Sequence, residues 1–164
     1  MKKLLLILVA TAVICPAAHA EQKLGSSTHL PLPRFTSLRE DKVNMRTGPG
    51  MRYPIAWVYI KLGLPVEVIA EYDVWRRIRD SDGDEGWVNK IELTGIRTAI
   101  VTGGAHDLRS DRNDLSQPVA HLENGAVGRL ESCGKVWCAL KFGDNEGFLP
   151  KGDFWGAFPD ETFD

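Results

Sequence analysis

The sequence predicts an all-β protein built from two small barrels in tandem. Three observations lead there. No window of twelve or more residues keeps the three-and-four apolar spacing of an amphipathic helix. Short runs rich in Val, Ile, Trp and Tyr are instead divided by turn residues. The chain also aligns with itself, at an offset that drifts between 61 and 64 residues as small loop insertions would produce. Composition agrees: of 164 residues, 43% are hydrophobic and 26% charged, which is a folded chain, and 16 Gly with 9 Pro supply many turns. A net charge of −2 argues against nucleic acid as the main partner, since phosphate binding needs a basic face.

The first twenty residues lie outside this pattern. A basic start, Met1-Lys2-Lys3, precedes an apolar run from Leu4 to Ile14 broken only by Thr11, and Ala18-His19-Ala20 is a small-x-small cleavage site. That is a secretory signal peptide over 1–20, with an apolar run too short to span a bilayer comfortably. Ile14 before Cys15 does not fit lipid attachment, which needs a small residue there. The mature chain is expected to be periplasmic or secreted, mildly acidic and without a stable membrane anchor. Residues 21–36, with Pro31 and Pro33, read as an extended linker.

The first repeat, 37–95, contains the strand-like runs Ile55 to Leu62, Val66 to Tyr72, Val74 to Arg79 and Gly86 to Val88. The turns between them are Thr47-Gly48-Pro49-Gly50, Gly63, and Asp80 to Asp84. Gly48 and Gly50 are expected to supply positive φ around Pro49, and Gly63 and Gly125 to sit where a strand restarts after a sharp turn. The second repeat, 96–156, follows the first: Pro65 to Ile78 lies over Val127 to Leu140, and Glu85-Gly86-Trp87-Val88 over Glu146-Gly147-Phe148-Leu149. Each repeat is near the lower size limit for folding alone, so the two are expected to pack together. Residues 157–164 read as an acidic tail, frayed from Asp160 to Asp164, with the aromatic stretch Phe154 to Pro159 capping the second barrel.

The self-alignment sets Glu71 and Arg76 on Cys133 and Cys138. An opposite-charge pair in one copy and a thiol pair in the other fit positions that touch across a hairpin, and an exported chain favours a disulfide. One register conflict arises. Cys133 opposite Cys138 sets Leu130 opposite Lys141, while pairing Leu130 with Leu140 needs a shift of one residue; a bulge reconciles the two.

Val43-Asn44-Met45-Arg46-Thr47-Gly48-Pro49, Tyr53-Pro54-Ile55, the Gly63-led strand, Trp75 to Ile78 and Gly83 to Val88 resemble the bacterial SH3 domain family. The second copy resembles it more loosely, keeping Arg109 but carrying Asp111-Arg112 in place of Gly-Pro. The resemblance implies two SH3-like barrels and a groove built on Trp75, Trp137 and Pro150, with Tyr53 and Trp57 as aromatic walls and Arg46, Arg76 or Arg77 meeting a ligand carboxylate. Trp75 is expected to face partly outward, because Ile78, three residues on, is the better core side chain. The same aromatics would serve equally to fill the contact between repeats.

Other chemistries find no support. Cys133 and Cys138 lie on strands, away from the helix start and His that a cysteine nucleophile needs. His106 and His121 are fifteen residues apart with no ligand pattern, and two thiols without a Cys-x-x-Cys disfavour a metal. Asp80 to Gly86 resembles a calcium loop, but Glu85 stands where Gly is required. The expectation is a non-catalytic binding module of the cell envelope without cofactor. Its partner is a peptide or peptidoglycan segment; the alternative is an assembly role in which the aromatic surfaces bind an envelope protein or the sister repeat.

Overall fold

The computed structural model describes residues 22–164, so the signal peptide expected over 1–20 lies outside the described residues. Fourteen strands form two antiparallel sheets of seven. The first contains β1 (Arg34–Leu38), β2 (Val43–Arg46), β3 (Ile55–Tyr59), β4 (Pro65–Tyr72), β5 (Trp75–Arg79), β6 (Glu85–Asn89) and β7 (Leu93–Thr94). The second contains β8 (Thr98–Val101), β9 (His106–Arg109), β10 (Pro118–Leu122), β11 (Val127–Cys133), β12 (Trp137–Phe142), β13 (Asn145–Pro150) and β14 (Phe154–Trp155). Their orders, β3-β2-β6-β5-β4-β1-β7 and β10-β9-β13-β12-β11-β8-β14, are the same order seven strands later. The described residues are all-β and their repeats are tandem SH3-like units.

Alternation along each strand puts one apolar face inward. Leu38, Val43, Met45, Tyr59, Val66, Val68, Ile78 and Val88 form the first core, joined by Leu32. The second gathers Leu108, Leu122, Leu130, Cys138, Leu140, Leu149 and Phe154. Each aliphatic side chain so buried contributes about 1.5–3 kcal/mol relative to exposure. Gly63 and Gly125, at φ of 72° and 83°, turn the chain into β4 and β11 as expected.

The register conflict is resolved by bulges at the same place in both copies. Leu130 opposes Leu140 and Cys133 opposes Cys138, because one residue, Glu131, is left over between Leu130 and Ser132. Likewise Val68 opposes Ile78 and Glu71 opposes Arg76, with Ile69 left over. Cys133 and Cys138 form a disulfide with Cα atoms 4.1 Å apart. In the first copy the equivalent contact is an ion pair, Arg76 Nε to Glu71 Oε1 at 3.4 Å.

Two expectations about the ends need correction. The stretch read as a linker, 21–36, is folded from residue 22 onward: Leu24 bridges to Pro31, Leu32 enters the core, and β1 begins at Arg34. The anchor is Glu71, which accepts from the amides of Ser27 and Thr28 (both 2.9 Å), from the Thr28 hydroxyl and from Arg34 (both 2.7 Å). Gly25 lies so close over this carboxylate that an added Cβ would collide with it. The acidic tail is not frayed either. Phe163 pairs with Cys133, and Glu161 takes both guanidinium nitrogens of Arg97 at 2.7 and 3.0 Å. The segment around Ser27 and Thr28 and the C-terminal tail thus close on equivalent hairpins, β4–β5 and β11–β12, each in its own barrel.

The barrels meet through side chains that the self-alignment does not single out. Phe35 on β1 stands edge-on to Trp155 of β14, centroids 4.8 Å apart, and lies 4.7 Å from Phe158. Beside it, the buried Thr98 hydroxyl lies 2.6 Å from Ser37 Oγ and donates to Gly63 O at 2.6 Å. The tail aromatics therefore bridge to the first barrel rather than only capping the second.

Candidate functional site

Cross-strand pairing of β12 with β13 sets Trp137 directly opposite Pro150. Both line an open cavity of about 270 Å3, with His106, Asp107, Arg109, His121 and Asp153 around them. The half-buried indole, Pro150 and Ala105 supply the apolar part of the lining, and the other side chains are charged or polar. His121 Nδ1 lies 3.0 Å from Asp107 Oδ1, and Arg109 Nη2 lies 3.3 Å from Asp107 Oδ2. The bond to His121, with the charge of Arg109, holds the Asp107 carboxyl below the usual range. His106 sets one ring nitrogen 3.2 Å from Asp153 and the other 3.0 Å from Thr102 O. The site thus sets an apolar plate beside the carboxylates of Asp107, Asp114 and Asp153, the Arg109 guanidinium and two imidazoles.

The structure brings only part of the expected groove together. Trp137 and Pro150 meet, and Trp57 lies elsewhere, 54% exposed at the sheet edge on β3. Trp75 is 8% exposed and is not a ligand surface, contrary to expectation. It stands on β5 between Tyr72 and Asn89. Facing away from the core that Ile78 fills did not expose its indole, because the protein's own atoms cover it. Arg46 is committed as well: its guanidinium donates to Tyr53 O at 2.8 Å and Met51 O at 3.3 Å, closing the β2–β3 loop. Arg109 does the same to Ser116 O at 3.0 Å in the second barrel. Arg76 is buried against Glu71 and the carbonyls of Asp73 and Trp75, and Arg77 pairs with Glu85 at 2.8 Å. Tyr53 lies across Gly48, which explains that glycine: its φ is not positive, but a Cβ there would strike the ring.

The pocket histidines escaped the sequence reading, which found no ligand pattern around them. The signal that finds them is register: across the β9–β10 hairpin His121 opposes Asp107 and Leu122 opposes His106. Among the described residues no group of three or more His, Cys, Asp or Glu is arranged to hold a metal ion. Burial pushes the Tyr59 hydroxyl pKa up, reinforced by its 2.9 Å bond to Asp80 and by the negative field of Asp84 and Asp82.

Residues 39–95, which carry β2 to β7, match the bacterial SH3 domain family, and a second sheet with the same strand order follows. Among solved structures, NlpC2 from Trichomonas vaginalis is similar at 9% identity and a TM-score of 0.35, covering 76% of this chain and 48% of that one. NlpC1 from the same organism gives 10% identity and a TM-score of 0.36, covering 82% and 49%. The chain therefore spans about half the length of either. No curated protein matches it.

Proposed function

We propose that this chain is a non-catalytic, exported binding module of the cell envelope that recognises a peptide or the peptide portion of the cell wall. The Trp137–Pro150 pocket of the second barrel is its ligand seat. One observation carries the reading: a partly exposed indole and a proline face each other on a cavity whose rim offers carboxylates, imidazoles and the Arg109 guanidinium. Cys133 and Cys138 are tied to each other in a disulfide and so offer no thiolate. Export is supported by the leader pattern of the first twenty residues, and no helix among the described residues is long and apolar enough to cross a membrane.

Co-sedimentation with purified peptidoglycan tests this. Wild type is expected to pellet, and Trp137→Ala to lose about tenfold or more in affinity while keeping a cooperative melt, because the indole is partly exposed and outside the main core. Pelleting that Trp137→Ala leaves intact would remove the pocket from the reading. A folded wild type that never pellets would shift it to the assembly role. Turnover of cell-wall fragments by the purified chain would overturn the non-enzyme reading.

A further inference from the structure

Strand β3 ends the first sheet, pairing with β2 on one side and with no strand on the other among the described residues. Such an edge presents unpaired amide and carbonyl groups, and proteins normally blunt it with charge, proline or cover. From Ile55 to Ile60 there is no charge and no proline, and Ile55, Trp57, Val58 and Ile60 are 47, 54, 38 and 82% exposed. The second barrel provides an internal control. Where register sets Ile55, Trp57 and Val58 opposite Arg46, Met45 and Asn44, it sets Pro118, Ala120 and His121 opposite Arg109, Leu108 and Asp107. Glu123 follows in the place of Ile60. One fold thus carries a blunted edge in one copy and an open apolar edge in the other.

The open edge walls a cleft of about 370 Å3, closed on other sides by Leu64, Pro65, Ile100 of the second barrel and the Asp80–Asp84 turn. Asp80 accepts from the amides of Asp82 and Asp84 at 3.1 and 2.9 Å and from the Tyr59 hydroxyl, which fixes the turn against the end of β3. Among the described residues no Lys or Arg forms an ion pair with Asp80, Asp82 or Asp84. Lys61, on the cleft itself, donates to Gly125 O at 2.7 Å instead.

We propose that this cleft docks an extended partner segment that joins β3 as an added strand and places a lysine-like cation on the Asp80–Asp84 turn. Main-chain hydrogen bonds to the open edge would supply affinity, and apolar side chains against Trp57, Ile60 and Leu64 the selectivity. Charge chooses the occupant. A second copy of this net-acidic chain would bring another uncharged strand and leave the three carboxylates unmatched. A basic, apolar segment matches both features. The site is separate from the Trp137 pocket and stands or falls independently of it.

The test uses the full chain and two labelled, end-blocked octapeptides, one alternating Val with Lys and the other Val with Glu, followed by fluorescence anisotropy. The Lys peptide is expected to bind at least about tenfold tighter at low salt, and the preference to fall at high salt. Asp82→Asn/Asp84→Asn should erase the preference, and Trp57→Ala should weaken binding about tenfold. All three residues are exposed, so these variants should fold. N-methylation of alternate peptide amides should abolish binding in one phase and spare it in the other, as a strand with one bonded edge requires. Equal binding of both peptides, no binding of either, or tolerance of both methylation phases would overturn the proposal. So would sedimentation showing a dimer that Trp57→Ala converts to monomer, which would seat a second copy on β3.

Discussion

Glu71 is a carboxylate with no exposed side-chain surface, and it stays charged inside the protein because donors surround it. Burial alone would raise its pKa; the bonds from Thr28, Ser27 and Arg34 outweigh that and lower it to about 2. A folded pKa below the ordinary 4.5 means that its stabilisation is complete above pH 4.5 and is lost as pH falls toward 2. The contribution is on the order of 3 kcal/mol. Glu71→Gln should therefore be less stable than wild type at pH 7, and the gap in urea unfolding free energy should shrink steadily between pH 5 and pH 2.5. A gap that stays constant over that range would show that the charge is not what Glu71 contributes. The sequence paired Glu71 with Arg76 but gave no hint of Ser27 and Thr28. Backbone amides carry no residue signature, and a stretch holding Pro31 and Pro33 looks like any solvated linker. The Trp75 indole was misplaced for a related reason: strand alternation assigns a side chain to a face, but what covers that face comes from other segments.

At the level of the element, the two central hairpins show how one backbone solution serves two chemistries. The bulge at Ile69 and at Glu131 lets aliphatic pairs, Val68 with Ile78 and Leu130 with Leu140, share a face with the Glu71–Arg76 and Cys133–Cys138 pairs beyond them. That was legible from the sequence because the conflict between two inward pairs of different spacing admits few other solutions. The disulfide spans five residues, and a loop so short limits its stabilisation to about 2 kcal/mol in the chain-entropy model. Cys133→Ala/Cys138→Ala should lose about that much by guanidinium unfolding and keep its fold. A loss of 5 kcal/mol or more would mean that the bridge also holds the tail, whose Phe163 bonds to the Cys133 backbone in both directions at 2.8 and 3.0 Å. Reduction of wild type should reproduce the double variant's stability; thiol alkylation in the unfolded state confirms that both cysteines were oxidised.

For the whole molecule, the repeat pattern announced two units but not the surface by which they join. Residues that hold repeats together need not repeat, and Phe35, Arg97, Trp155, Phe158 and Glu161 have no matched counterparts that would reveal them. Arg97 is central: it takes Glu161 in a two-pronged bond, donates to Gly156 O at 2.7 Å, and lies over Phe35 and Phe163 at 5.6 and 5.1 Å from their centroids. Burial opposes charge on Glu161, but the Arg97 contact prevails and its pKa is lowered. The tail therefore locks Arg97, and Arg97 backs the aromatic ring that the first barrel contributes. If this cluster couples the barrels, Phe35 and Trp155 should not be independent. Phe35→Ala and Trp155→Ala should each destabilise, and the double variant should lose less than the sum by about 0.5–1.5 kcal/mol, the usual worth of an edge-on aromatic pair beyond burial. Calorimetry should show wild type melting in one transition and the double variant in two, as each barrel comes to unfold by itself. Strict additivity with a single transition would mean that the hydroxyl cluster of Ser37 and Thr98 on Gly63 holds the barrels together instead, and Thr98→Val would then be the change that separates them.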